Sequence, residues 1–417
     1  MPEPPILILL APRVASADAS DVERAPEGDP VILGLSLSQR AVLAARRAGY
    51  AKVFLLGGNG RSANGTAAVA DWRELAATLS SSAAPLIIAP AAILAETDWL
   101  ERLASTRIEP AAWGRIPNRI VMLAAASALD AVDELDRDGG AQDLAAVDGR
   151  LAERFGPPAA ISADIDPMVV ERPADVRAAE RRLLLSLVKD TDGFMARHVE
   201  RPISLQISRR LAGTAITPNQ MSLISIAVGI CGGPFFLSSR PSIQTIGALL
   251  FLAHSILDGC DGELARLKFQ QSRWGGVLDF WGDNVVHTVI FGCMAIGWSL
   301  SAAAIWPLWL GAAAVLGTLG SAGFVYWRLM RRKDGGDTLF TSVSDAPERL
   351  LTRLLDVASR RDFIYLVVLL ALFGRSNWFL ALAGIGAPIY FLLVLLAARP
   401  PASAEGAGSR VAPGANH

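Results

Sequence analysis

The chain has 417 residues, of which 52% are hydrophobic and 19% charged, a balance that excludes disorder as the main state. Lysine and arginine number 39 against 40 aspartates and glutamates, so no overall charge draws the protein to nucleic acid, and no nucleic-acid partner is expected. Cys231, Cys260 and Cys293 lie in apolar stretches and form neither a disulfide framework nor a zinc-ligand spacing.

Composition divides the chain. Residues 1–195 read as an α/β domain, with short apolar runs at 6–11, 52–56, 85–89 and 119–124 and helical patterns at 37–48 and 98–105. Alternating strands and helices predict a parallel sheet covered on both faces. The first run is a buried strand rather than a signal peptide, because Glu3 stands where a basic segment belongs and prolines flank it. Residues 196–217 form a juxtamembrane segment. Within it, 199–211 sets Ile203, Leu205, Ile207 and Leu211 among Arg201, Arg209 and Arg210, the pattern of an amphipathic helix on a bilayer surface.

From 218 to 399 the apolar runs lengthen. Those at 221–239, 243–267, 274–300, 302–330 and 378–398 each predict a membrane helix. The run at 363–373 falls short of the ~20 residues a span needs and must borrow flanking residues near Arg360 or Asn377. Six helices are therefore expected. Basic residues cluster before the first helix, in the turn after the second and between the fourth and fifth. That asymmetry predicts a multi-pass protein of the cytoplasmic (inner) membrane, with the N-terminal domain in the cytoplasm. Residues 400–417, rich in Ala, Gly, Ser and Pro, are expected to be a disordered tail.

The chemistry concentrates in one stretch. Asp258 and Asp261 are three residues apart, and Asp279 and Asp283 four apart, so each pair shares a helix face. A hairpin between the two helices would bring four carboxylates into one cavity on the cytoplasmic side. Charge inside a membrane is costly and usually functional, and all-oxygen ligands favour Mg²⁺ or Mn²⁺. A two-ion site suits phosphoryl transfer. Gly262 and Gly275 would admit a close approach of backbone and substrate, and Arg266 can hold a phosphate. An ion pathway or a structural carboxylate network is the other reading of such residues. His254 and His287, one helical turn outside Asp258 and Asp283, either orient the carboxylates or simply pack.

The stretch resembles the signature of the CDP-alcohol phosphotransferase family, D-x-x-D-G-x-x-A-R, eight residues, G-x-x-x-D-x-x-x-D. Asp258, Asp261, Gly262, Ala265, Arg266, Gly275, Asp279 and Asp283 fill its fixed positions. Thr217-Pro218-Asn219 also resembles the family's entry to its first membrane helix. The resemblance covers roughly residues 200–399 and implies an all-α domain of six transmembrane helices. It also implies two metal ions on the four aspartates, holding the diphosphate of a CDP-linked alcohol. Asp283 would be the general base toward an acceptor hydroxyl, with CMP leaving. Pro218, Asn219, Gln220, Met221, Gly262, Arg266, Ser272 and Gly275 would bind the donor. Arg328, Arg331, Arg332, Arg360 and Arg361 could hold an acceptor phosphate, although basic loops also arise from topology. A homodimer in the lipid bilayer is expected. The donor is read as CDP-diacylglycerol, with CDP-inositol as the alternative. A non-catalytic membrane scaffold is disfavoured by the complete aspartate set.

The first domain is similar to Rossmann-like sugar-phosphate nucleotidyltransferases. The likeness lies in residues 31–57, with Arg40 on a helix and Ala48-Gly49 before a strand, and in the terminal Pro173-Ala-Asp175 with Ala179-Glu180. Fusion of the two domains is familiar from enzymes of inositol-phosphate metabolism that make CDP-inositol in one domain and use it in the other. Here the glycine-rich phosphate loop is replaced by Leu10-Ala-Pro-Arg-Val-Ala-Ser-Ala, the Lys-Pro by Asp29-Pro30, and the metal aspartate by Pro90 or Ala91. Those losses predict a catalytically inactive domain.

Overall fold

The computed structural model describes residues 3–11, 29–57, 67–79, 84–106, 113–116, 119–137, 140–141, 143–161, 166–189, 192–331 and 363–397. The chain divides into two compact units. The first comprises residues 1–189 with the short segments 209–215 and 266–270, and the second comprises 190–208, 216–265 and 271–417.

The first unit is built on a seven-stranded sheet. Its centre is β1 (Ile6–Leu10), paired in parallel with the later strands Lys52–Leu56 and Leu86–Pro90. All five residues of β1 are buried because both faces are covered. Ile6, Ile8 and Leu10 pack with Trp72, Leu75 and Leu151, while Leu7 and Leu9 pack with Ala41, Trp99 and Leu103. After the small hairpin β2 (Val31–Ile32) and β3 (Leu35–Ser36) come α1 (Leu37–Arg47), β4 (Lys52–Leu56), β5 (Ala67–Val69), α2 (Trp72–Leu79), β6 (Leu86–Pro90), β7 (Ile93–Leu94) and α3 (Thr97–Ser105). The unit continues with β8 (Trp113–Ile116), β9 (Ile120–Leu123), α4 (Ala128–Asp136), α5 (Leu144–Phe155), β10 (Ala159–Ala160), β11 (Met168–Val169) and α6 (Pro173–Leu185).

The sheet is mixed, which corrects the expectation of an all-parallel one. β9 runs antiparallel to both β6 and β8. Ile116 pairs with Ile120, so the link from β8 to β9 is a hairpin, far shorter than the ~12 residues a parallel crossover needs.

Local chemistry explains the ends of the elements. Ser36 caps α1 in a capping box with Gln39, and Gly49 at φ +84 turns the chain from α1 toward β4. Arg40 is buried on α1, and its Nη2 donates to the Ile32 carbonyl at 3.0 Å. Desolvation pulls this guanidinium down to about 10. At α6, Pro173 occupies the first turn and Asp175 accepts from the Arg172 backbone N–H at 2.9 Å. The side-chain hydrogen bond from Arg172 holds the Asp175 carboxyl below its usual range.

The second unit is helical. Its elements are most of α7 (Arg201–Ala212), then α8 (Pro218–Gly232), α9 (Pro241–Leu267), α10 (Arg273–Ala302), α11 (Trp306–Arg331), α12 (Phe363–Leu372) and α13 (Ser376–Ala397). Among the described residues, five segments are long and apolar enough to cross a membrane: Pro218–Leu237, Pro241–Leu267, Arg273–Ala302, Trp306–Arg328 and Ser376–Leu396. α12 has ten residues; the marginal run of the sequence is thus a short helix, and six spanning helices are not established. Phe251, Val286, Ile290, Phe291, Ile364 and Phe379 form the core. Leu316, Leu382 and Ile385 point outward at 58–69% exposure, as side chains facing hydrocarbon do.

Gly297 sits where α10 meets the end of the first span. A Cβ there would collide with the Phe236 carbonyl oxygen and lie 2.9 Å from Leu237 Cα. Gly292, on the same helix, has open space around its missing side chain. Gly297→Ala is expected to destabilise the protein by about 1–3 kcal/mol through overpacking against backbone. Gly292→Ala should stabilise it by about 0.5–1 kcal/mol through helix propensity. Thermal unfolding of the two variants in one detergent checks the order, and equal midpoints would contradict it.

Candidate active site

Three of the four sequence-identified aspartates meet. One oxygen from each of Asp258, Asp261 and Asp279 lies within 4.8 Å of the other two. Asp258 and Asp261 are buried on α9, and Asp279 is half-buried on α10. Three carboxylates this close repel one another unless protons or cations intervene, and a donor set made only of oxygen fits a hard divalent ion. Asp283 lies one helical turn beyond Asp279, with its Oδ1 at 3.4 Å from His254 Nε2.

The surrounding side chains fix these carboxylates. His254 is buried, and its Nδ1 lies 2.9 Å from the Ser225 carbonyl. A carbonyl only accepts, so Nδ1 carries the hydrogen and Nε2 is the atom that faces Asp283. Of the two readings for this histidine, packing beside a carboxylate is what the geometry gives, because a neutral ring with its hydrogen on Nδ1 offers Asp283 only a lone pair. His287 packs among the rings of Phe251 and Phe363, with centroids 5.5 and 5.7 Å away. Ser222 Oγ donates to Asp261 Oδ2. Sequence reasoning misses Ser222; its one signal is a polar residue in the second turn of a mostly apolar run.

The proposed donor-binding residues divide by role. Thr217 caps α8, and Gln220 completes the capping box, with its Oε1 accepting from the Thr217 N–H at 3.0 Å. Pro218 stands in the first turn and Met221 is buried, while Asn219 is exposed. Ser272 caps α10, its Oγ accepting from the Gly275 N–H at 3.0 Å. A Cβ on Gly275 would lie 3.0 Å from Asn219 Oδ1, so glycine at this position lets the starts of α8 and α10 approach. Gly262 is half-buried on α9, and Arg266 stands in that helix's last turn. Arg328 is exposed on α11, and Arg331 ends it. Arg332, Arg360 and Arg361 lie outside the described residues.

Residues 215–389 match the sequence model of the CDP-alcohol phosphatidyltransferase family. This stretch is similar to the domain of that family. Over 158 residues the chain is 35% identical to a bifunctional IPC transferase and DIPP synthase of Thermococcus kodakarensis, covering 38% of this chain and 34% of the relative. It is 26% identical over 178 residues to an archaetidylinositol phosphate synthase of Pyrococcus horikoshii, covering 42% of this chain and 86% of that protein. A crystal structure of Mycobacterium tuberculosis phosphatidylinositol phosphate synthase with CDP-DAG bound aligns at 19% identity and a TM-score of 0.32, over 51% of this chain and 99% of that one. The match to the bifunctional relatives spans about a third of their length or less. The matched stretch begins just ahead of the α8 cap and contains every aspartate of the site.

Proposed function

We propose that this protein is an integral membrane phosphotransferase that moves a substituted phosphoryl group from a CDP-alcohol to an acceptor hydroxyl and releases CMP. The observation that carries the reading is the convergence of Asp258, Asp261 and Asp279 within 4.8 Å. With Asp283 they form a ligand set for two Mg²⁺ or Mn²⁺ ions. When bound, such ions neutralise the diphosphate oxygens and stabilise the leaving group. The chain's own residues do the rest. Ser222 holds Asp261 in position, and His254 packs beside Asp283. Asp283 takes the proton of the acceptor hydroxyl as its oxygen bonds to the phosphorus bearing the alcohol, and the bond from that phosphorus to the CMP oxygen breaks. Pro218, Asn219, Gln220, Met221, Gly262, Arg266, Ser272 and Gly275 are assigned to donor binding, by side chain or by exposed backbone. Arg328, Arg331, Arg332, Arg360 and Arg361 are assigned to the acceptor's phosphate.

The donor we favour is CDP-diacylglycerol, which makes the reaction a step of phospholipid biosynthesis. An N-terminal domain unable to make a soluble CDP-alcohol fits a donor drawn from the bilayer. The second reading is CDP-inositol with a soluble phosphorylated acceptor, and the 35% identity to a bifunctional IPC transferase and DIPP synthase favours it. Purified protein incubated with each CDP-alcohol and Mn²⁺ or Mg²⁺ should release CMP, and the phosphodiester formed identifies the donor. No CMP from either donor would refute the reading. The protein is proposed to work as a homodimer in the cytoplasmic membrane, with residues 1–195 and the aspartates on the cytoplasmic side.

Residues 1–195 are proposed to be a degenerate nucleotidyltransferase-like domain. Asp29, in place of the expected lysine, accepts from the Ser38 backbone N–H at 3.2 Å and from its hydroxyl, and so serves the first turn of α1. Pro90 closes β6 and Ala91 follows it, the two positions either of which would hold the metal aspartate. The replaced glycine loop, from residue 12 onward, lies outside the described residues. Full-length protein given CTP, Mg²⁺ and an inositol phosphate is expected to release no pyrophosphate above background, because each lost contact of this kind removes several kcal/mol of barrier lowering. Sustained pyrophosphate release dependent on the alcohol phosphate would revive the bifunctional reading.

A further inference from the structure

The α9 helix carries a fifth carboxylate. Glu263 is fully buried, two residues beyond Asp261, at a position the signature leaves variable. At about 100° per residue it points about 140° from Asp258 and about 160° from Asp261, so it lies on the helix face opposite the metal-binding carboxylates. Its partners all come from α7. Arg201 Nη1 donates to Oε1 at 2.8 Å and Ser204 Oγ to the same oxygen at 2.7 Å. Ser208 Oγ donates to Oε2 at 2.7 Å. Both carboxylate oxygens are thus engaged, and the buried charge has its counter-charge.

The clamp extends on both sides. Arg201 also holds Asp192 through Nε and Nη2 at 2.8 and 3.0 Å. Glu200 accepts from Ser255 on α9 at 3.4 Å and from Tyr365 on α12 at 3.3 Å. The facing residue Gly259 keeps its side of α9 narrow, since a Cβ there would already lie 3.6 Å from Arg201 Nη1. Ser204 and Ser208, one turn apart, make the buried stripe of α7, while Ile203 is 44% exposed. The apolar residues of this segment, read from sequence as its membrane-facing side, leave the buried contact to hydroxyls.

We propose that Glu263 and Arg201 are positioning residues that set the rotation of α9 about its own axis, and through it the placement of Asp258 and Asp261 for a divalent ion. The inference rests on the metal-site assignment above. A carboxylate ~6 Å from a helix axis moves about 1.5 Å when the helix turns by ~15°. Misplacement of about 1 Å in a preorganised site can cost ~100-fold. A clamp of three short, directional hydrogen bonds on the opposite face resists that rotation.

The test uses the full-length protein in detergent and Mn²⁺ alone, with free Mn²⁺ read from its electron paramagnetic resonance signal. Arg201→Gln and Glu263→Gln are each expected to weaken Mn²⁺ binding at least tenfold at unchanged stoichiometry. The double variant should fall no further than the weaker single, because the two groups act as one unit. Ser208→Ala, which keeps both charges, should weaken binding about threefold and serves if the charge variants do not fold. Affinity within twofold of wild type in every folded variant overturns the proposal. So does a reduced number of sites at unchanged affinity, which would mean a folding role only. Multiplicative losses in the double variant overturn the coupling. A wild-type protein that binds no Mn²⁺ overturns the metal-site assignment and this inference together.

Discussion

Replacing Asp258, Asp261 or Asp279 by alanine is expected to reduce CMP release at least ~100-fold, and chelation of divalent ions should do the same to the unaltered protein. The reason is geometric. The three oxygens within 4.8 Å of one another come from two helices, so each alanine removes one donor of a shared site. The change also relieves repulsion among carboxylates, so the variants should unfold no more easily than the parent in metal-free buffer. Loss of turnover together with retained thermal stability would separate a ligand role from a structural one. Added Mn²⁺ should restore the chelated parent but not the variants. Turnover within a few-fold of normal in all three variants after complete metal removal would remove the basis of the assignment.

The meeting of Asp258, Asp261 and Asp279 was legible in the sequence because its information is local. Spacings of three and four residues fix which carboxylates share a helix face, and the short turn from Arg266 to Ser272 brings the two helices side by side. What holds those carboxylates was not legible, because the partners are distant in the chain. Ser222 reaches Asp261 across 39 residues, and Arg201 reaches Glu263 across 62. A serine in an apolar run or a glutamate in a variable position has no periodicity to announce it. The same distinction holds in the first unit. Apolar runs located the strands, whereas the reversed direction of β9 depended on the length of the connection from β8 rather than on any residue within it. The short α12 marks the other limit. Its run of ten residues supports a helix but leaves its extent to residues whose composition is not apolar.

Asp283→Asn is expected to leave donor binding within about threefold of normal while lowering turnover at least ~1,000-fold. Asparagine preserves the size and one acceptor oxygen of the side chain, but its amide cannot take a proton from the acceptor hydroxyl. Asp283 is also assigned to the metal set. The three other carboxylates converge without it, so a loss of charge there should weaken the site far less than loss of one of those three. His254 gives the experiment a second arm. Its Nε2 faces Asp283 Oδ1 at 3.4 Å while Nδ1 bonds the Ser225 carbonyl. A residue held this way packs beside the carboxylate without touching the acceptor, so His254→Gln should lower turnover by only about tenfold. Donor affinity measured by equilibrium binding, and CMP release measured at saturating donor, separate the two effects. A fully active Asp283→Asn protein would transfer the role of base to another group or to water. A variant that instead loses donor binding in proportion to turnover would make Asp283 a metal ligand first and leave the proton without an assigned acceptor.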